Sequence, residues 1–128
     1  MPVFLVCVDG SASEDDAQAC RAQFEVLTGH EWTYPPSFVD QVDEVPVIAP
    51  GDEPALRTVG VYVELPEPEE SSDEAAVRRD VAALIEAMSQ LAQRANIEFV
   101  VEYRAEEIGS LDGGPADARV VDEFFGSV

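Results

Sequence analysis

Three stretches of the chain have the hydrophobic pattern of β-strands. Residues 3–8 read VFLVCV, a continuous apolar run that predicts a buried central strand. Residues 58–65 and 97–103 alternate between apolar and polar positions, which predicts strands with one buried face. Residues 108–111 are expected to pair with the last of these strands. The predicted buried positions are Val59, Val61, Val63 and Leu65 in one strand and Ile97, Phe99, Val101 and Tyr103 in the other.

A first helix is predicted directly after the opening strand. Ser11 and Glu14 have the spacing of a capping box, and Asp15 and Asp16 suit the first turn of a helix. Gly29 is expected to end this helix, because glycine adopts the left-handed conformation common at helix C-termini. The side chains at helical spacing that would face the core are Ala17, Cys20, Phe24 and Leu27.

The strongest helical pattern lies in the second half of the chain. Ser71 and Glu74 form a second capping-box pattern, and the helix is expected to extend to about Ala95. A short terminal helix is predicted over residues 118–125, ended by Gly126. The apolar stripe of the long helix is Val77, Val81, Leu84, Ile85, Met88 and Leu91.

The remaining segments favour loops. Residues 30–44 are expected to be irregular, and residues 45–49 to form a short edge strand among several prolines. Residues 66–72 resemble a solvated acidic linker, and residues 112–115 read as a turn.

These elements predict one domain of the α+β class over residues 1–128. A chain of 128 residues is long enough for one hydrophobic core and too short for two. The expected architecture is a mainly antiparallel sheet with two helices packed on one face, in a ferredoxin-like or split β-α-β layout.

Charge narrows the classes of partner. The chain has 27 acidic residues against 7 basic ones, all arginine, for a formal net charge of −20. Such a surface repels nucleic-acid phosphates and anionic lipids, so the expected partners are basic proteins or cations. Adaptation to a salt-rich cytoplasm, or drift in genomic base composition, would produce a similar composition. The chain has no apolar run of about 18 residues and no basic leader, which favours a cytoplasmic protein without a membrane span.

Catalytic and metal-binding patterns are weak. Cys7 and Cys20 fit no metal or redox spacing, and both are expected to pack on core faces as unreactive thiols. His30, the one histidine, lies in a loop beside Trp32. Carboxylates are too numerous for any pair to stand out as an acid–base couple. We therefore predict a protein that is not an enzyme and that needs no cofactor or metal.

One segment combines aromatic and acidic side chains. Trp and Tyr are favoured anchors at protein interfaces, and carboxylates around them steer a basic partner. In the alternative interpretation, Trp32 and Phe38 close a satellite core beneath a long loop. The predicted partner-binding residues are Trp32, Tyr34, Asp40, Asp43 and Glu44, with Glu69 and Glu70 as steering charges.

The C-terminal third resembles small immunity proteins of bacterial polymorphic-toxin systems. Residues 99–117 read FVVEYRAEEIGSLDGGPAD and are followed by Val120, Val121 and the sequence FFG at residues 124–126. In that family a strand is followed by a glycine turn, an aspartate and a short helix that closes on a glycine. Many members end in a tryptophan, which this chain lacks.

The resemblance implies a cytoplasmic inhibitor that blocks the active site of a toxin, often a nucleic-acid-directed enzyme. A toxin that holds phosphates has a basic cleft, which a strongly acidic domain complements. Two other functions remain open from the sequence. One is a nucleic-acid mimic that inhibits a defence protein, and the other is a small ferredoxin-like enzyme or ligand-binding domain.

Overall fold

A five-stranded antiparallel sheet organises the protein in the computed structural model, which describes residues 2–44, 49–50, 55–66 and 74–125. The elements in chain order are β1 (Val3–Val8), α1 (Glu14–Leu27), β2 (Ser37–Glu44), β3 (Ala55–Glu64), α2 (Glu74–Ala95), β4 (Phe99–Tyr103), β5 (Glu106–Leu111), a 3₁₀ turn (Pro115–Ala118) and α3 (Arg119–Phe125). The strand order is β2-β3-β1-β4-β5, and all four neighbouring pairs are antiparallel.

This topology is the predicted ferredoxin-like one. Helix α1 connects β1 to β2, and α2 connects β3 to β4, so each helix crosses over one intervening strand. That is the split β-α-β arrangement, repeated twice. Strand β5 and α3 extend it beside β4. The prediction of a single α+β domain is confirmed.

One hydrophobic core lies between the sheet and the two long helices. From β1, the side chains of Phe4, Val6 and Val8 enter it and are at most 6% exposed. The predicted inward positions of β3 and β4 lie on the same face and are buried, except Tyr103, which is partly buried against the core. The apolar stripe of α2 is confirmed and covers them, with Val77, Val81, Leu84, Ile85, Met88 and Leu91 all buried.

The N-terminus of α1 differs from the prediction by two residues. Ser13, not Ser11, caps the helix: its hydroxyl accepts from the Asp16 backbone N–H, and the Asp16 carboxylate accepts from the Ser13 backbone N–H, each at 3.1 Å. Ser11 instead accepts a hydrogen bond from the backbone N–H of Arg57 on β3. The capping box is therefore formed by Ser13 and Asp16, and not by Ser11 and Glu14 as the sequence predicted.

The C-terminus of α1 also differs from the prediction. Thr28 caps it, with a backbone N–H that donates to the carbonyl of Phe24 and a hydroxyl that donates to the carbonyl of Glu25. Gly29 directly follows this cap, so the helix ends where the glycine predicts, but Gly29 does not adopt the positive φ of a left-handed ending. The proposed cap Ser71 and the terminal Gly126 lie outside the described residues, and no helix within them is long and apolar enough to cross a membrane.

The edge strand lies earlier than predicted. Residues 37–44, expected to be irregular, form β2 and pair with β3 along their whole length. The edge strand predicted at residues 45–49 falls largely on residues 45–48, which are outside the described part. Alternation in β2 was obscured because Asp40, on the same side of the strand as Phe38, is a charged residue at an inward position.

A tight hairpin joins β4 to β5. The two connecting residues, Arg104 and Ala105, have φ angles of 55° and 66°. Positive φ at both positions is characteristic of the type I′ hairpin turn, for which Asn-Gly is the usual sequence. The predicted pairing of residues 108–111 with the preceding strand is confirmed, and the strand begins two residues earlier.

Candidate functional site

Buried Asp80 on α2 anchors the loop that carries two predicted partner-binding residues. Its side chain is 1% exposed, and Oδ2 accepts from the backbone N–H groups of Thr33 at 2.9 Å and Tyr34 at 2.7 Å. The guanidinium of Arg79 lies 3.8 Å from Oδ1 and also donates to the Thr33 hydroxyl. The loop before β2 is therefore fixed to the long helix.

The aromatic side chains in this region are packing residues as well as candidate anchors. The indole N–H of Trp32 donates to the carbonyl of Leu27 at 2.8 Å, and its ring meets the ring of His30 edge-on. Phe38 packs against Phe24, with the guanidinium of Arg21 above its ring. Trp32, Tyr34 and Phe38 are each half-buried against the core, as the satellite-core interpretation expects, and each leaves part of its surface exposed.

Asp40 is part of a solvent-exposed ion-pair cluster. Arg57 on β3 donates two hydrogen bonds to the Asp40 carboxylate, at 2.9 and 2.7 Å, and one to Glu14 on α1 at 2.7 Å. The guanidinium holds the pKa of both carboxyls below their usual values, chiefly through these hydrogen bonds. The cluster ties β2 and β3 to the first turn of α1, so the charge of Asp40 is neutralised within the chain.

The other predicted acidic residues are separated from the aromatic ones. Asp43 and Glu44 are exposed at the far end of β2, which spans about 24 Å at about 3.4 Å per residue. Tyr34 precedes the opposite end of that strand. Glu69 and Glu70 lie outside the described residues. The structure thus divides the candidate site into two regions, one at each end of the edge strand.

A different surface gathers acidic and apolar side chains. The outward face of the sheet, opposite α1 and α2, is not covered by any described element, and we call it the open sheet face. Tyr62 pairs with Leu5, and Leu5 pairs with Glu102 on its other side. Glu102 in turn lies opposite Glu107 of β5. By strand register, the open sheet face includes Val3, Leu5, Cys7, Ser37, Val39, Gln41, Asp43, Leu56, Thr58, Gly60, Tyr62, Glu64, Val100, Glu102, Glu107 and Ser110.

Cys7 lies at the centre of this face, and not on the core face predicted for it. Its thiol donates to Oε2 of Glu102 at 3.7 Å, and the opposing Gly60 approaches so closely that a Cβ there would lie 2.1 Å from the carbonyl oxygen of Val6. Burial, followed by the charge of Glu102, raises the pKa of the Cys7 thiol to about 12. Burial also raises the pKa of Cys20 to about 12. These thiols are the opposite of activated nucleophiles, which have a lowered pKa.

The other buried carboxylate has a structural role. Asp117, before α3, accepts from the hydroxyl of Ser89 and from the backbone N–H groups of Asp112 and Gly113. It borders a cavity of about 490 Å³ between α2 and the turn after β5. Because both its oxygens accept hydrogen bonds from the chain, Asp117 fixes this turn against α2. Among the described residues, no three metal-ligating side chains come together.

Sequence reasoning overlooked the open sheet face as a unit. The signal was present, since the alternation that buries Val61 and Val101 also places Tyr62, Glu64 and Glu102 on the outward side. The missing information was the strand order. Only the topology places β1 between β3 and β4 and so brings outward residues of distant segments side by side.

No protein-family model, curated protein or solved structure matches this chain. Its function must therefore be inferred from its surface chemistry. That surface has an acidic and apolar sheet face on one side and arginine-containing ion pairs on the other.

Proposed function

We propose that the protein is an inhibitor of the immunity type, which binds a basic bacterial toxin domain and occludes its active site. We expect the toxin domain to act on nucleic acid. An enzyme of that kind holds phosphates in a basic cleft, and a protein with a net charge of −20 is complementary to such a cleft. Acidic side chains of the inhibitor would occupy the positions meant for those phosphates. The protein would work as a binding partner without chemistry of its own.

The observation that carries this proposal is the distribution of positive charge. All four described ion pairs use Arg57, at an inward position of β3, or Arg78 and Arg79, on α2. No described ion pair involves a carboxylate of the open sheet face. With a net charge of −20, these exposed acids would set a field that accelerates association with a basic partner.

The resemblance of the C-terminal third supports the same proposal. Residues 99–125 form a strand, a hairpin, a glycine turn with Asp117 behind it, and a short helix. The immunity-protein pattern has a strand, a glycine turn, an aspartate and a short helix in the same sequence, but no hairpin. The resemblance concerns this segment alone, and the charge distribution is independent of it.

The test is co-expression with the protein encoded by the adjacent gene. We expect that protein to be basic, to co-purify with this one, and to arrest growth when it is expressed alone. Affinity measured by calorimetry should fall steeply between 50 and 500 mM NaCl, since screening weakens attraction between exposed charges. If the neighbouring product neither binds this chain nor harms cells in its absence, the proposal fails.

A nucleic-acid mimic directed at a defence protein would share the electrostatics but differ in its target. A growth assay separates the two functions, because a mimic would bind the defence protein while the adjacent gene product remains harmless. The cysteine pKa values argue against an enzymatic alternative that uses either thiol as a nucleophile.

A further inference from the structure

The open sheet face is apolar around Val3, Leu5 and Tyr62, toward the end of β3 that carries Glu64. Val3 is 37% exposed, and next to it Leu5 and Tyr62 are half-buried neighbours on adjacent strands. Single exposed apolar residues are ordinary, but a contiguous apolar surface rimmed by polar groups marks an interaction site. β1 lies in the middle of the sheet, so this surface crosses from β3 to β4.

The rim of this face carries carboxylates that take part in none of the ion pairs between described residues. Glu102 lies directly opposite Glu107, and like charges in this cross-strand position destabilise a sheet. Glu102 is half-buried, and its hydrogen-bond partner in the described part of the chain is the weak Cys7 thiol donor. Glu64 adds a third carboxylate beside Val3. A retained like-charge pair of this kind costs stability that an external cation would restore.

Both features suit an arginine-bearing protein segment. A guanidinium donates bidentate hydrogen bonds to a carboxylate and also stacks on an aromatic ring, here that of Tyr62. An apolar side chain beside the arginine would cover Val3 and Leu5. A second copy of this chain is a poor occupant, because a two-fold axis would bring the carboxylates of one face against those of the other.

We propose that the open sheet face, through Leu5, Tyr62, Glu64, Glu102 and Glu107, is the docking surface for an arginine-bearing segment of a basic protein partner. The partner's identity as a toxin rests on the function proposed above, whereas the surface itself can be tested without the toxin. This surface differs from the loop and edge-strand residues expected from the sequence, of which it includes Asp43 alone.

The direct test is a ¹⁵N NMR titration with the peptide acetyl-Arg-Leu-Arg-amide. Shift changes should concentrate on β1, β3 and β4 and extend to the side of β5 that carries Glu107. The variant E102Q/E107Q should weaken peptide binding about tenfold, whereas the control E25Q/E123Q should change it less than about twofold. The control removes the same charge from exposed sites on α1 and α3.

Unfolding measurements separate a binding role of the carboxylate pair from a structural one. Removing the like-charge pair should leave the free protein as stable as before, or more stable, while it weakens peptide binding. A loss of stability in E102Q/E107Q, with peptide affinity unchanged, would assign Glu102 a structural role and overturn the proposal. Equal weakening in both double variants would show that only the overall charge attracts the peptide, and would also overturn it.

Two further outcomes are informative. Concentration-dependent shifts on this face without peptide would identify a second copy of the chain as its occupant, contrary to the proposal. If the toxin binds wild type and E102Q/E107Q with equal affinity, the proposed docking surface is contradicted, whereas the proposed inhibitor function is supported. If the peptide maps to this face but no toxin binds, the docking surface stands and the inhibitor function fails.

Discussion

Individual buried polar residues determine much of the local structure. Asp80, Gln23 and Asp117 are at most 5% exposed, and each joins segments that are distant in sequence. Gln23 lies among the apolar positions of α1, where its amide donates to the carbonyl of Ala87 on α2 and accepts from Arg94. A sequence pattern does not reveal these residues, because their partners become neighbours only after folding.

The Asp80→Ala variant should lose about 2–4 kcal/mol of unfolding free energy. Removal of the Asp80 carboxylate leaves the backbone N–H groups of Thr33 and Tyr34 without their hydrogen-bond acceptor. Urea denaturation monitored by Trp32 fluorescence would measure the change. Asp80→Asn is the matched control, since its amide oxygen retains one acceptor and the loss should be smaller. An alanine variant as stable as wild type would show that the loop does not depend on this carboxylate.

The cysteines should react slowly in the folded protein. At pH 8 a thiol with a pKa of about 12 is ionised about a thousandfold less than one with the ordinary value of 9.0. Labelling with a chromogenic disulfide reagent should therefore be at least that much slower than in guanidinium. The single variants C7S and C20S show which labelling rate belongs to which cysteine. Rapid labelling of either native thiol would contradict the burial described for it.

The same thiols should make the free energy of unfolding decrease at high pH. Because folding raises their pKa, the folded state retains protons that the unfolded state has lost. Their contribution is complete below pH 9 and declines as pH rises toward 12. Stability curves for wild type and the double variant C7S/C20S should converge in that range. A constant difference between them across it would rule out this linkage.

At the scale of elements, the edge strand β2 combines little burial with an ion pair to its neighbour β3. Most of its residues are exposed, and Asp40 bonds to Arg57, which also holds Glu14 of α1. Propensity alone did not identify this strand, because a charged residue at an inward position interrupts the alternation. The strands with cleanly alternating or continuous apolar patterns were all predicted correctly.

Arg57→Gln should lower stability at neutral pH and have less effect in acid. The pKa values of Asp40 and Glu14 are lowered from ordinary values of 3.8 and 4.5, so their stabilisation is present above those values and is lost as pH falls below them. The gap between wild type and variant should thus narrow below about pH 4. Arg119→Gln on α3 makes the same change in net charge and serves as the control. A difference in stability between wild type and Arg57→Gln that does not depend on pH would contradict a stabilising role for the cluster. A difference of the same size in Arg119→Gln would contradict it as well.

At the scale of the whole molecule, negative charge opposes compaction. A net charge of −20 on 128 residues produces self-repulsion that salt screens. The Debye length falls from about 30 Å at 0.01 M to about 8 Å at 0.15 M, so most of the screening takes place over that interval. The acidity therefore has a stability cost that binding to a basic partner would relieve.

The melting temperature should rise with NaCl between 0.01 and about 0.3 M and then level off. Differential scanning calorimetry at constant pH would measure it, with sucrose as the control for general exclusion of solute. A melting temperature that continues to rise above 1 M would favour adaptation to a salt-rich cytoplasm. A melting temperature that does not change with salt would show that charge self-repulsion has little effect on the stability of the protein.

The sequence by itself determined the class of fold, the long helix, three strands, the final hairpin partner and the sign of the electrostatic field. Those features follow from local periodicity and composition, which do not depend on contacts between distant residues. Tertiary structure alone decided that β1 is flanked by β3 and β4, that Asp40 is neutralised by Arg57, and that Tyr62, Leu5 and Glu102 form one surface. The reason is that strand order and side-chain pairing join residues that are far apart in sequence, such as Cys7 and Glu102, which are 95 positions apart.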